Sequence, residues 1–356
     1  MFYVRLRWLA RTLCVLFIVI FITLTILYIN NGYALDSTLY SYPLDVNLYK
    51  IYSDLGPDGE WTPSLHLPVR PINLANFSLI RAPQSLCIPE YPELANESIF
   101  NPVDIIFIVK TRLSSFSQRN AIRQTWANAS CAANLNYTIR TVFALGSPAF
   151  AQPWLDNRLQ QEHDEYHDLL QFSFVDAYHN NTYKMMTSLK YVSKHCRNAR
   201  FVVIMDEDFL VHIKNMIRIL DEVPQVQHAT YVAGYVFSTP IPERRPWKKW
   251  YVSYALYPHR FYPPYPTGGT VIMSMPVVRL VAAGMPFVKF FWIDDTYLGI
   301  VLQKYGISPQ NIRNVYLSHA PVDSELSTLV SAHQFGTPWK MRQGWNKLLR
   351  LGVCQS

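Results

Sequence analysis

The stretch Phe201–Val211, FVVIMDEDFLV, constrains this chain more than any other. Five apolar residues, Phe201 to Met205, are rich in β-branched types and carry the pattern of a buried strand. The strand runs straight into Asp206, Glu207 and Asp208, and apolar residues resume at once with Phe209, Leu210 and Val211. Carboxylates at the mouth of a buried strand are costly to desolvate unless something positive lies among them. Residues two apart in an extended segment share a side, so Asp206 and Asp208 can converge while Glu207 points away. Such hard oxygen donors suit Mg²⁺ or Mn²⁺, with a phosphate-bearing substrate completing the shell. A solvated acidic turn is the plainer account of the same residues.

Around this stretch, strand and helix patterns alternate. Val103–Lys110 (VDIIFIVK) is a second buried strand, and Ser117–Trp126 reads as a helix with Ser117 as its cap. Thr141–Leu145 is a further strand, closed by Gly146-Ser147-Pro148. From Trp154 to Gln171, Leu159, His163, Tyr166 and Leu170 fall at helical spacing, and Tyr183–His195 is another helix. Alternation of this kind predicts a mostly parallel sheet wrapped by helices, with ligands bound beyond the carboxyl ends of the strands. Asp206 and Asp208 stand at such an end.

The N-terminus sets the compartment. Thr12–Ile29 is 18 residues without a charge, enough to cross a thin bilayer. Arg5, Arg7 and Arg11 precede it and no basic residue follows until Lys50, which leaves the N-terminus cytosolic and the bulk of the chain lumenal. A cleaved signal peptide is the rival, but no clear small-x-small site follows beyond Gly32 to Ala34. Sequons at Asn76, Asn96, Asn128, Asn136 and Asn180 agree with a lumenal chain. Cys87, Cys131, Cys196 and Cys354 permit two disulfides in any of three pairings, and no spacing suggests zinc. Residues 30–101, crowded with proline, read as a stem that packs in part against the domain. A net charge of +7 carries no stripe with stacking aromatics, which excludes a nucleic-acid binder of recognisable type. The densest basic run, Arg244, Arg245, Lys248 and Lys249, is a solvated face or a contact for an anionic substrate or membrane.

Downstream, Lys249–Ser253 (KWYVS) and Tyr262–Ser274 (YPPYPTGGTVIMS) are aromatic and then glycine-containing. Gly268-Gly269 either lets a backbone approach a ligand or simply turns into a strand. Asp294 and Asp295 interrupt the apolar run from Phe290. One can cap a helix, and one can serve as a general base beside an acceptor hydroxyl.

Taken in order, these stretches resemble the inverting β-1,3-galactosyltransferases and their N-acetylhexosaminyl relatives, glycosyltransferase family 31, over roughly Val103 to Cys354. The family's R-x-A-I-R-x-T-W is present as Arg119, Ala121, Ile122, Arg123, Thr125 and Trp126. D-x-Y-x-N-L-T-x-K appears as Asp176, Tyr178, Asn180, Thr182 and Lys184, with Asn181 for leucine. D-D-D-V-F-V becomes Asp206, Glu207, Asp208, Phe209, Leu210 and Val211, while K-W-Y-V-S and Y-P-P-Y are intact. E-D-V-Y-x-G becomes Asp294, Asp295, Thr296, Tyr297 and Gly299, and Ala332-His333-Gln334 resembles V-H-Q. The family's Y-C-S-G-x-G loop departs here, as Tyr265, Pro266, Thr267, Gly268, Gly269 and Thr270, losing its cysteine. Trp292 and Ile293 also differ from the usual residues before the acidic pair.

The resemblance implies an α/β GT-A fold, a mostly parallel mixed sheet flanked by helices, behind a single N-terminal transmembrane helix. Its organisation would be a cytosolic tail at 1–11, an anchor at 12–29, a stem at 30–101 and a catalytic domain at 102–356. It implies a type II Golgi enzyme that moves a hexose (galactose, GalNAc or GlcNAc) from a UDP-sugar to a glycan on protein or lipid, with inversion. Mn²⁺ or Mg²⁺ would be held by Asp206, Asp208 and His333, and Asp295 would be the base with Asp294 beside it. Arg123, Lys184, Asp206, Glu207, Gly268 and Gly269 are the expected contacts to the nucleotide sugar. The rivals are a two-carboxylate glycoside hydrolase built on Asp206 and Asp295 and a catalytically silent sugar-binding protein.

Overall fold

The computed structural model describes residues 2–33, 46–56, 59–83, 86–87 and 103–355. Asn96, the candidate cleavage residue Ala34 and the stem residues 88–102 lie outside them. Phe2–Tyr33 forms one helix, and the anchor expected at 12–29 falls within it. Among the described residues no helix is long and apolar enough to cross a membrane. In this helix those residues are Trp8 and 11–26, all of them exposed.

Strands β1 (Leu79–Arg81), β2 (Ile105–Lys110), β3 (Ile139–Ser147), β4 (Leu169–Val175) and β5 (Phe201–Asp206) join β7 (Val232–Phe237), β8 (Tyr265–Ser274) and β9 (Gln310–Asn311) in one sheet. Its order is β1-β4-β3-β2-β5-β8-β7-β9. The centre, β4 through β5, is parallel, but β8 joins β5 antiparallel and β7 joins β8 antiparallel, so the sheet is more mixed than expected. β6 (Leu210–Val211), β10 (Val315–Tyr316) and β11 (Ser331–Ala332) form a second, small sheet.

Strand alternation divides the apolar side chains between two cores. Ile106, Ile108, Val202 and Ile204 face helices Asn181–His195, Met275–Gly284 and Asp294–Lys304. Ile105, Phe107, Val203 and Met205 face helices Phe116–Arg123, Ile213–Asp221 and Pro338–Arg350. Because both faces of the sheet are covered, its central strands read as unbroken apolar runs.

Two expectations change. The helical pattern of 154–171 holds only for Pro153–Tyr166; His167, at φ 54°, ends that helix, and Leu169–Val175 continues as β4. Ser117 is not the cap of helix Phe116–Arg123; Ser115 precedes the helix and gives its hydroxyl to Glu207 instead. The described residues of the stem pack against the domain, in line with the partial packing expected of them. Leu48, Ile51 and Leu55 lie in the same core as the sheet, and Ile72 and Asn73 donate to Pro286 O. β1 extends the sheet edge, with Arg81 buried against Gln171 and Asp156. Disulfides Cys87–Cys196 and Cys131–Cys354 fix which of the three pairings is used.

Candidate active site

Sheet register builds the site. Lys110 and Asp206 close adjacent parallel strands and are direct partners in register. The antiparallel pairing of Met205 with Thr270 then brings Gly268 and Gly269, near the start of β8, to the same sheet end. Helix Asp294–Lys304 delivers Asp294 and Asp295 in its first turn, where the helix dipole favours negative charge. The small sheet completes the arrangement, since Ala332 opposite Leu210 sets His333 beside Asp208.

Lys110 is the positive group that the carboxylates require. Its buried ammonium lies 2.5 Å from Asp294 Oδ2 and 3.0 Å from Asp206 Oδ1. Burial alone would lower its pKa, but the two carboxylates more than offset that and hold it above the usual lysine range. Asp206 is pushed up to about 6 by loss of water, with Asp294 and Asp208 adding to it and Lys110 opposing. Asp295 is pushed up to about 7, first by burial and then by the charge of Asp294. Its two oxygens accept from the backbone N–H groups of Gly268 (3.2 Å) and Thr296 (2.7 Å), which fixes the carboxylate's orientation. Neither acid of the pair is the N-cap, a place held by Ile293.

The glycines serve packing. A Cβ at Gly268 would stand 3.0 Å from Lys110 Nζ, and one at Gly269 only 2.0 Å from the Phe209 ring. Lys110 and Phe209 thus lie close against the two glycines. Phe209 in turn packs on His333, their rings 5.3 Å apart.

Other expected contacts are committed elsewhere. Glu207 points away from its neighbours as anticipated, but into the protein, accepting from Thr111, Arg112 and Ser115. Lys184 spends its donors on Thr111 O and both oxygens of Asp176. Arg123 grips Asp168 and Glu162 and lies over the Tyr166 and Phe143 rings. Each of the three is thus held in place by partners inside the protein.

Residues 117–313 match the galactosyltransferase family. The chain belongs to that family. It is 33% identical over 257 residues to the beta-1,3-galactosyltransferase brn of Drosophila melanogaster, covering 71% of this chain and 77% of that one. It is 31% identical over 229 residues to a lactosylceramide 1,3-N-acetyl-beta-D-glucosaminyltransferase of Rattus norvegicus, covering 63% of this chain and 61% of that one. Identity to beta-1,3-galactosyltransferase 1 of Mus musculus is 29% over 287 residues, 80% of this chain and 82% of that one. A solved glycosyltransferase involved in glycosylating the major capsid of PBCV-1 aligns at a TM-score of 0.34 and 9% identity, over 69% of this chain and 99% of that one. That likeness is too loose to carry weight.

For a galactosyltransferase-family chain, the metal question falls on Asp208 and His333. Among the described residues no cluster of three His, Cys, Asp or Glu side chains forms a metal site. Asp206, drawn to Lys110, stays out of the group of three that was expected. The remaining pair still fits a cation. His333 Nδ1 faces Leu317 O at 3.1 Å, a contact that puts a proton on Nδ1 and turns Nε2 toward Asp208. That nitrogen lies 3.0 Å from Asp208 Oδ2, and Asp208 Oδ1 is buried without a partner. Two acceptors facing at this distance call for a proton or a cation, and neighbouring ligands of a small octahedral cation lie about 3 Å apart.

The sequence reading missed Lys110 as a site residue. Its signal was present, because a lysine ends one buried strand just as an aspartate ends its neighbour. Two residues before Asp294, Trp292 belongs to an aromatic group: the His179 and Trp292 rings are 4.6 Å apart, and Trp250 donates to the Tyr178 hydroxyl.

Proposed function

We propose that this family member is a Golgi-membrane glycosyltransferase of the GT-A fold. It would move galactose, GalNAc or GlcNAc from a UDP-sugar to an acceptor hydroxyl, inverting the anomeric carbon to give a β-1,3 bond. The observation that carries the reading is the contrast within the acidic pair. Asp294 is locked to Lys110, whereas Asp295 is oriented by two backbone N–H groups and pushed up to about 7. A base near neutral pKa is the efficient choice for taking a hydroxyl proton. Asp295 then accepts the proton of the acceptor hydroxyl as that oxygen attacks the donor's anomeric carbon, and the sugar–phosphate bond breaks on the opposite face. Asp208 and His333 would hold Mn²⁺ or Mg²⁺, which when bound supplies positive charge to the departing diphosphate. Lys110 keeps Asp206 and Asp294 compensated, so the site tolerates several carboxylates together. The aromatic group around Trp292 offers flat faces of the kind that sugar rings stack on.

The anchor at 12–29 is part of this proposal. Support comes from the helix Phe2–Tyr33 and from its exposed Leu13, Phe17 and Phe21, which have no protein core to pack against. The described stem residues pack into the catalytic domain, so residues 34–45 form the remaining link.

Labelled UDP-Gal, UDP-GalNAc and UDP-GlcNAc, incubated with metal and a panel of acceptor glycans, test the reading. A product extended through a β-1,3 bond is expected. Release of free sugar from a glycan without a nucleotide would favour a hydrolase, and binding without turnover a silent protein.

A further inference from the structure

Residues 238–264, between β7 and β8, are far more than neighbouring antiparallel strands need for a connection, and long loops of this kind are commonly functional. The segment is firmly built. Arg244 donates to the carbonyls of Val252 (2.8 Å), Tyr257 (2.9 Å) and His259 (2.8 Å). Val252 N donates to Glu243 O and Tyr262 N to Pro240 O, each at 2.8 Å, and Val252 and Tyr257 are fully buried.

On this frame Ile241, Trp247 and Tyr254 remain 66%, 76% and 67% exposed. Large apolar side chains that a fixed loop holds in water are open to a partner. The partner follows from the charges around them. Arg245, Lys248 and Lys249 are exposed on the same segment, and its one acid, Glu243, is already taken by Arg245. Tryptophan and tyrosine mixed with lysine and arginine is the composition that settles at the headgroup level of a bilayer.

Chain length points the same way. Residues 34–45 alone separate the helix ending at Tyr33 from the folded domain, a link of at most roughly 45 Å. A domain of this size is roughly 50 Å across, so the link is shorter than the domain is wide. This step rests on the anchor proposed above. The inner side of the segment abuts the site: Lys249 Nζ lies 4.2 Å from the centre of the Tyr178 ring, beside Trp292.

We propose that Ile241, Trp247 and Tyr254, with Lys248, dock on the lipid bilayer and turn the site toward acceptors held in that membrane. The full-length enzyme, reconstituted in phosphatidylcholine vesicles containing phosphatidylserine, tests this. An environment-sensitive fluorophore at Trp247→Cys is compared with one at the exposed Lys340→Cys, both in a Cys14→Ser background. Emission at 247 should shift to the blue and be quenched by brominated acyl chains, while emission at 340 does neither. The Trp247→Ser/Tyr254→Ser variant should transfer roughly tenfold more slowly to a glycolipid in the same vesicles. It should act normally on the free oligosaccharide with the same terminal sugars. A water-exposed label at 247 overturns the docking, and so does an equal loss on both acceptors, which would mark a glycan or protein contact. Alkaline extraction reads the anchor separately. A protein that resists extraction with label 247 in water overturns the docking alone; one that is extracted while the label is quenched overturns the anchor alone. Extraction together with a water-exposed label overturns both.

Discussion

Replacing Asp294 with asparagine should move the acid limb of the pH–rate profile. Asp295 works as a base only when ionised, so the wild-type rate should rise with pH through about 7 and level off above it. After burial, the charge of Asp294 is the largest cause holding Asp295 up. Asp294→Asn removes that charge and leaves Lys110 less compensated, and both changes favour the ionised form of Asp295. At an effective dielectric of about 20, a unit charge at roughly 6 Å is worth about 3 kcal/mol, or about two pH units. Lys110, 2.5 Å from Asp294, already cancels part of this, so a fall of about one unit is expected. Initial rates at saturating donor and acceptor, from about pH 5 to about pH 9, should show the midpoint move from about 7 to about 6. Thermal melts would confirm that Asp206 suffices to keep Lys110 folded in. Asp295→Asn should remove the limb and cost on the order of a hundredfold or more in kcat, with UDP affinity kept. An upward shift in Asp294→Asn would refute this electrostatic account. A dead Asp294→Asn beside a normal Asp295→Asn would reverse the roles.

Other outcomes follow from single contacts. Asp208→Ala should abolish transfer with little change in Tm, since one carboxylate oxygen has no partner to lose; full activity of that variant in chelator would sink the metal assignment. Gly269→Ala should force the Phe209 ring off its place against His333, costing about 1–3 kcal/mol in stability. It should also raise the cation concentration needed for half-maximal rate; an unchanged requirement would show that the ring does not position His333. Arg119→Met should lower stability by about 1.5–3 kcal/mol in denaturant melts, because Glu162 would lose its fully buried partner and keep only Arg123.

Much of the site was legible because chemistry there is local in sequence. Asp206 and Asp208 announced themselves as acids on an apolar strand, and Asp294 with Asp295 as acids inside an apolar run. Lys110 was harder, since its meaning depends on which strand lies beside β2, and spacing along the chain does not report that. Asp208 and His333 are 125 residues apart and meet only through the pairing of β6 with β11. β4 was hidden because Leu169 and Leu170 extend the helical spacing of the preceding residues; the left-handed turn at His167 breaks it. Arg123 and Lys184 matched motifs and sit where the motifs place them, yet their partners are internal acids. A pattern of residue types does not say which way a cation points.

The disulfide between Cys87 and Cys196 has a consequence for shedding. With the anchor proposed above in place, a protease cutting within 34–45 would release everything from Val46 onward as one piece. A cut within 88–102 would release nothing, because the anchor-bearing fragment would stay covalently tied through Cys87 and packed through Leu48, Ile51 and β1. The nicked enzyme would remain membrane-bound and active until reduced, running as one band on a non-reducing gel and two on a reducing one.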